Sequence, residues 1–236
     1  MDALILAAGL GSRLMPLTKM QPKAMTKYKD VEIISHQIET LLSSEIRRII
    51  IVTGYHSEVL KRFINNKYPS TEIIFVDNKD YSSTNSAYSF IEACSEIKSD
   101  EYIHLNCDIF FSQEILLSVI KNKNQNVIAV RKDIALKNQM ENVISVNKRI
   151  VNMSLKNSTE SNFKAFGLAK ISKAAVIESI NTYNRLIPEV QKIENYYGLI
   201  RLSLGNIAYY LEESDKYNLS EINTHEDLEN CVFKLK

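Results

Sequence analysis

At 236 residues, with 45% hydrophobic and 24% charged residues, the chain can bury one sizeable core and has the balance of an ordinary globular protein. Its formal net charge of +1 excludes the strong basic excess of a nucleic-acid-binding domain, whereas small charged ligands need only local charge. Three cysteines, Cys94, Cys107 and Cys231, have no C-x-x-C spacing, which argues against structural zinc and a disulfide framework and for a reducing, cytoplasmic setting.

The first apolar run is too short for a signal peptide, and no stretch approaches the roughly 20 apolar residues of a membrane span. Residues 4–7 instead read as a buried strand. Residues 33–42 carry a helical stripe of Ile34, Ile38, Leu41 and Leu42. Residues 49–52 form a second strand, followed by a helix that Ser57 is expected to cap. Strands at 73–76 and 102–105, a helix from Asn85 or Ser86, a helix from Ser112 and a strand at 127–130 continue the alternation. Short strands separated by helices of about ten residues predict βαβ units with helices on both faces. After Arg131, residues 143–146 and 150–155 flank Asn147-Lys148-Arg149 and read as a hairpin. Strand character returns at 163–171, helices start at Lys173 and near Pro188, and a late strand is expected at 207–211. Thr224-His225-Glu226-Asp227 opens the final helix as a capping box. The expected fold is α/β, a Rossmann-like three-layer αβα sandwich with a mixed, mostly parallel sheet.

Chemistry concentrates where the first strand ends. Leu6-Ala7-Ala8-Gly9-Leu10-Gly11-Ser12-Arg13 removes side-chain bulk just where backbone N–H groups can converge on an anion. Arg13 adds a fork that matches phosphate oxygens, and Lys23 a compact positive charge. A dinucleotide fingerprint needs a third glycine at position 14, which is Leu14, and a Walker A loop needs Gly-Lys-Ser/Thr, which is absent. Asp108 closes the fourth predicted strand, where open α/β sheets bind ligands, and a carboxylate beside phosphates suits Mg²⁺. His104 and Asn106 share its parity on that strand and are placed to line the crevice, with a satisfied core histidine an equal reading of His104. The polar segment 77–89 suits reading a base edge, with Asp80, Tyr81, Ser83, Asn85 and Ser86 as candidate contacts.

Leu6 to Arg13, followed by Pro16-Leu17-Thr18 and Pro22-Lys23, resembles the signature of sugar-phosphate and phosphocholine nucleotidyltransferases. The resemblance implies a single domain over 1–236, with about 1–131 as the nucleotide-binding half and about 132–236 as the acceptor-binding half. It implies that Leu6, Ala7, Ala8, Gly9, Gly11, Ser12 and Arg13 hold a nucleoside triphosphate. It gives Lys23 the task of neutralising the reacting phosphoryl group and makes Asp108 a metal ligand. The second ligand in such relatives belongs to Glu-Ile-Asp-(Thr/Ser)-x-x-Asp-Leu, which stands here as Glu221-Ile222-Asn223-Thr224-His225-Glu226-Asp227-Leu228. Asn223 thus replaces an aspartate. Asn85 and Ser89 match an Asn-x-x-x-Ser pattern of phosphocholine cytidylyltransferases, which tilts the reading toward CTP.

The same resemblance places an acceptor site at a Phe166-Gly167-Leu168 turn and at Glu194, Tyr196 and Tyr197. Choline-type relatives carry a Trp-acid pair here; this chain has no tryptophan, and Gly198 stands in place of the acid. The implied activity is Mg²⁺-dependent transfer of CMP from CTP to a small phosphorylated acceptor, with pyrophosphate released. Phosphocholine, phosphoglutamine and 2-aminoethylphosphonate are the acceptors considered, and the product would feed surface-polysaccharide or lipid decoration. The alternatives are a sugar-1-phosphate (UTP or dTTP) or molybdenum-cofactor nucleotidyltransferase, and a nucleotide-binding domain that has lost turnover.

Overall fold

The alternation of apolar runs and helical stripes is realised along the whole chain. The computed structural model describes residues 1–235. The chain opens with β1 (Asp2–Ala7), the short β2 (Lys27–Tyr28) and β3 (Val31–Glu32), α1 (Ile33–Ser43) and β4 (Arg48–Thr53). Next come α2 (Ser57–Lys67), β5 (Glu72–Asp77), α3 (Ser86–Ala93), β6 (Glu101–Asn106), β7 (Ile109–Phe111) and α4 (Gln113–Lys121). The second half holds β8 (Val127–Arg131), β9 (Asn142–Val146), β10 (Arg149–Ser154), β11 (Phe163–Ser172) and α5 (Lys173–Arg185). It ends with α6 (Pro188–Ile193), α7 (Tyr196–Ser203), β12 (Tyr210–Ser214), β13 (Leu219–Glu221) and α8 (His225–Glu229).

One nine-stranded sheet runs in the order β5-β4-β1-β6-β11-β8-β12-β10-β9. β5, β4, β1 and β6 are mutually parallel, as right-handed βαβ crossovers require, while β11 runs antiparallel between β6 and β8. Side-chain parity sorts the helices into two layers. Leu4 and Leu6 pack with Phe90 of α3, Val176 of α5 and Leu199 of α7. Ala3, Ile5 and Ala7 pack with Ile38 of α1, Leu60 of α2 and Leu116 of α4. Each such aliphatic side chain, fully withdrawn from water, stabilises the fold by about 1.5–3 kcal/mol. The result is the expected αβα sandwich. Among the described residues no helix is long and apolar enough to cross a membrane.

A two-stranded ribbon stands apart from the main sheet. β7 pairs with β13 antiparallel, and the Ile222 amide continues the ladder to the Asp108 carbonyl at 2.8 Å. The ribbon thereby brings Asp108 and Asn223 together from opposite ends of the chain. Strands this short carry too little periodicity to be recognised in the sequence.

Several local expectations hold and several change. Asn85, Ser112, Ser172 and Asn195 cap α3, α4, α5 and α7 with their side chains, and Thr224 and Asp227 form the capping box of α8. Asn147 and Lys148 both adopt positive φ, the geometry of a tight hairpin turn. Ser57 does not cap α2: its hydroxyl donates to Asp77 at 2.7 Å, and His56 in a left-handed conformation starts the helix. The helix expected from Pro188 is broken into α6 and α7, because Glu194 and Asn195 are extended and Asn195 caps the second piece. The strand expected at 207–211 begins only at Tyr210, since the Ile207 amide still bonds back to Ser203. Phe166-Gly167-Leu168 is not a turn but the middle of β11, where pairing with β8 shifts register between Ala165 and Ala169.

Candidate active site

The glycine loop is shaped by what sits behind it. Gly11 has φ of 64°, and a Cβ there would lie 3.0 Å from Lys23 Cβ and 3.1 Å from Thr18 Cγ2. A side chain at position 11 would therefore push Lys23 away, and the left-handed backbone also favours glycine. Thr18 donates to the Gly11 carbonyl at 3.0 Å, and residues Ser12–Leu14 form a single 3-10 turn.

Lys23 reaches across the mouth of the sheet. Its ammonium donates to Asp108 Oδ2 at 2.8 Å and to Asn223 Oδ1 at 2.7 Å. Arg13 Nη2 donates to the same Asn223 oxygen at 2.8 Å. The Lys23 and Asp108 side chains are only 11% and 15% exposed. Burial alone would lower the Lys23 pKa, but the Asp108 carboxylate outweighs it and holds the group above its ordinary value. Lys23 is thus a fixed positive charge. Cys107, beside it, is no nucleophile: burial pushes its thiol up to about 12.

This cluster stands where two cavities meet. A cavity of about 330 Å³ is lined by Leu6, Ala8, Gly9, Gly11, Ser12, Arg13 and Lys23 from the first stretch. Tyr81, Asn85 and Ser86 close its far side, with Asn78, Thr84 and Ser89. A second cavity, of about 610 Å³, contains Arg131, Lys137, Glu141, Lys164, Gly167, Tyr197, Lys216 and Glu221. Among the described residues only Arg13, Asn106, Asp108 and Asn223 line both.

Some expected residues lie elsewhere. Ala7 points to the opposite face of the sheet, into the layer of α1 and α4. Asp80 and Ser83 form the turn behind the first cavity: the Asp80 carbonyl accepts from Ser83, and its carboxylate from Tyr88. The Asn85 amide is occupied at both ends, accepting from Ser86 N at 2.7 Å and donating to the Ile193 carbonyl at 3.0 Å. Tyr196 is a core residue, its hydroxyl bonded to that of Tyr102 at 2.8 Å. Glu194 lines neither cavity; its carboxylate accepts from Arg201 and fills the space a Cβ at Gly198 would need.

The sequence reading missed Asn78, a buried staple whose amide donates to Thr84 and Ser89 and accepts from the Asp80 amide. An asparagine just past a strand end is the signal for such a turn. It also missed the charged wall of the second cavity. Arg201 grips both oxygens of Glu141, at 2.7 and 2.6 Å, and Lys164 pairs with Glu221. The ammonium groups of Lys137 and Lys216 have no carboxylate partner among the described residues.

Asp108 Oδ1 is buried and accepts no hydrogen bond among the described residues. A buried carboxylate oxygen in that state is available to a cation or to a donor on a bound ligand. Among the described residues no group of three His, Cys, Asp or Glu gathers, and a metal bound here would have to complete its shell with ligand oxygens and water. Asn223 Oδ1 offers the second protein oxygen.

A family model for nucleotidyl transferases matches residues 2–182. The chain belongs to the nucleotidyl transferase family. A CTP:phosphoglutamine cytidylyltransferase of Campylobacter jejuni is 44% identical over 138 residues, 56% of this chain and 53% of that protein. A choline-phosphate cytidylyltransferase of Streptococcus pneumoniae is 37% identical over 110 residues, 45% of this chain and 47% of that protein. The chain spans about half the length of these relatives. Among solved structures, the inositol-1-phosphate CTP transferase from T. maritima superposes with a TM-score of 0.81 at 19% identity, covering 96% of this chain and 90% of that one. The CTP:phosphocholine cytidylyltransferase from Streptococcus pneumoniae gives 0.75 at 21% identity, covering 98% and 97%. At these identities the structural likeness establishes the fold, which is that of this nucleotidyl transferase.

Proposed function

We propose that the chain is a cytidylyltransferase that moves CMP from CTP onto a small phosphorylated acceptor and releases pyrophosphate. The observation that carries this is the Arg13, Lys23, Asp108 and Asn223 cluster at the junction of two cavities, one of them built on the glycine loop. The cytidylyltransferase relatives make CTP the first choice of nucleotide.

CTP occupies the first cavity, its base toward Tyr81 and Ser86 and its phosphates on the loop and Arg13. The acceptor enters the second cavity. One of its phosphate oxygens attacks the α-phosphorus in line; the new P–O bond forms as the bond to the β-phosphate oxygen breaks. The nucleophile is already an anion, so no general base is needed, and no covalent enzyme intermediate forms. Catalysis is alignment plus charge neutralisation. Arriving phosphates draw Lys23 and Arg13 from Asp108 and Asn223, and Lys23 then offsets the repulsion between the two anionic partners. The freed oxygens of Asp108 and Asn223 suit Mg²⁺, which would supply Lewis-acid polarisation of the phosphates.

The second cavity favours a polar acceptor over a quaternary ammonium, which needs open aromatic faces. Its Phe166 ring is already covered by Lys164 at 4.2 Å and Arg131 at 5.1 Å. Tyr197 is buried and donates to the Phe166 carbonyl. Phosphoglutamine and 2-aminoethylphosphonate therefore rank ahead of phosphocholine. Such a product belongs in the cytoplasm, as an activated precursor for surface decoration.

A pyrophosphate-release screen tests this, crossing CTP, UTP, dTTP, ATP and GTP with the three acceptors and hexose-1-phosphates. The expected result is CTP-dependent release with a non-sugar acceptor. Strong UTP or dTTP use with a hexose-1-phosphate sinks it, and nucleotide binding without release marks a domain that has lost turnover.

A further inference from the structure

β6 carries one more functional side chain, and the inference deepens the cytidylyltransferase reading on which it rests. His104 and Asn106 share one face at the end of this strand, and Asp108 follows in the turn just beyond it. His104 is completely buried, with its ring stacked on Tyr196 at 3.9 Å and 14°. Burial drives its pKa down to about 3, so the ring is neutral and has one N–H and one lone pair. Nε2 lies 3.3 Å from Asn106 Oδ1, and Nδ1 has no partner. A proton on Nδ1 would leave a buried donor unpaired. A proton on Nε2 makes the ring donate to Oδ1 and leaves only a lone pair without a partner. The Asn106 amide is thereby fixed, with its carbonyl oxygen toward His104 and its NH₂ turned away.

That NH₂ group donates to no protein acceptor among the described residues, and Asn106 faces both cavities. The chain has cleared space for it. A Cβ on Gly167 would lie 2.4 Å from Asn106 Cβ and 2.6 Å from its Nδ2, so the side chain packs directly over the β11 backbone at Gly167, which lines the acceptor cavity. Of the other three residues common to both cavities, Arg13 serves the triphosphate, and Asp108 and Asn223 suit the cation. Asn223 is a neutral amide as well, but its oxygen is held by Lys23 and Arg13, the two cations that exchange partners, whereas the Asn106 oxygen is held by His104, which lines neither cavity.

We propose that Asn106 Nδ2 binds a phosphate oxygen of the acceptor, and that His104 is a positioning residue that sets the amide's orientation. A neutral donor fits this place. It holds the incoming anion without competing with Lys23 for the triphosphate, and it stays put while Lys23 and Arg13 exchange partners.

Steady-state kinetics with CTP and phosphoglutamine, 2-aminoethylphosphonate or phosphocholine test this in Asn106→Ala, Asn106→Asp, His104→Phe and the Asn106→Ala/His104→Phe double variant. Asn106→Ala should raise the acceptor KM about tenfold or more and leave the CTP KM within about twofold. Asn106→Asp, nearly the same shape, should raise it further because an anion then faces the phosphate. His104→Phe keeps the stack, removes the Nε2 proton and should raise the acceptor KM by about threefold or more. The double variant should be no worse than Asn106→Ala, a non-additivity that a merely structural histidine would not produce. An unchanged acceptor KM in Asn106→Asp, or a rise confined to the CTP KM, overturns the assignment while leaving the cytidylyltransferase reading intact. Wild-type protein that releases no pyrophosphate with any of the three acceptors overturns that reading and this assignment with it.

Discussion

The two cavities are built in opposite ways. The smaller one draws most of its wall from two stretches of sequence, residues 6–23 and 78–89, the first of them the glycine loop. The larger one is lined by side chains scattered from Arg131 to Val232. A triphosphate is the same in every nucleotide, and under the proposed function a fixed loop of amides and two cations would serve it. An acceptor varies, and side chains on an unchanging sheet can change with it.

Substitutions at the shared wall should break this division most sharply. Asp108→Ala and Lys23→Ala are each expected to lower kcat by about 10²–10³-fold or more, measured as pyrophosphate release with CTP and acceptor. Near wild-type turnover in either variant means that the junction is not where chemistry occurs. The next effect is on stability. His104 stays neutral in the fold down to about pH 3, whereas the unfolded chain binds that proton below about pH 6.5. The unfolded state therefore binds more protons in this window, and stability falls as pH drops. His104 contributes a slope of about 1.4 kcal/mol per pH unit, which urea titrations of His104→Phe should no longer contain. The tyrosine rings of Tyr102, Tyr196 and Tyr197 around it stay protonated throughout, so they do not mask the change.

A third test restores a charge. Asn223→Asp adds a carboxylate opposite Asp108 and should lower the Mg²⁺ concentration for half-maximal activity by about tenfold. An unchanged Mg²⁺ titration curve removes Asn223 from the ligand set. The smallest effect belongs to Tyr196, expected from the sequence beside the acceptor but packed in the core. Tyr196→Phe leaves the Tyr102 hydroxyl without its partner and should cost about 1–2 kcal/mol in thermal or urea unfolding, with the acceptor KM unchanged.

The division also explains what could be read in advance. A contiguous motif survives intact in sequence, so Gly9, Gly11, Arg13 and Lys23 were legible together, and Asp108 followed from the strand-end rule. The strands and helices flanking them showed because their apolar residues repeat at periods of 2 or 3.6. Glu141 and Lys164 carry no such pattern; they meet only because β9 pairs with β11. Tyr196 and Tyr197 are sequence neighbours on one helix, yet one reaches a cavity and the other does not. Asn106 was placed on the right face, but its orientation depends on His104 behind it and on Gly167 across β11, which only the folded sheet brings together.

The β7–β13 ribbon gives the molecule an order in time. A chain growing from the ribosome displays the glycine loop, Arg13, Lys23 and Asp108 early, with the strands that position them. Asn223 arrives only after β13, which adds nothing to the nine-stranded sheet. The segment beyond β12 also buries Leu219, Ile222 and Phe233, the last two against Leu14 beside the glycine loop, so a chain truncated there loses core packing under the loop as well as one oxygen of the junction. Docking of β13 onto β7 thus finishes two things at once, the packing beneath the loop and the junction itself, and ties the last-made part of the chain to the first.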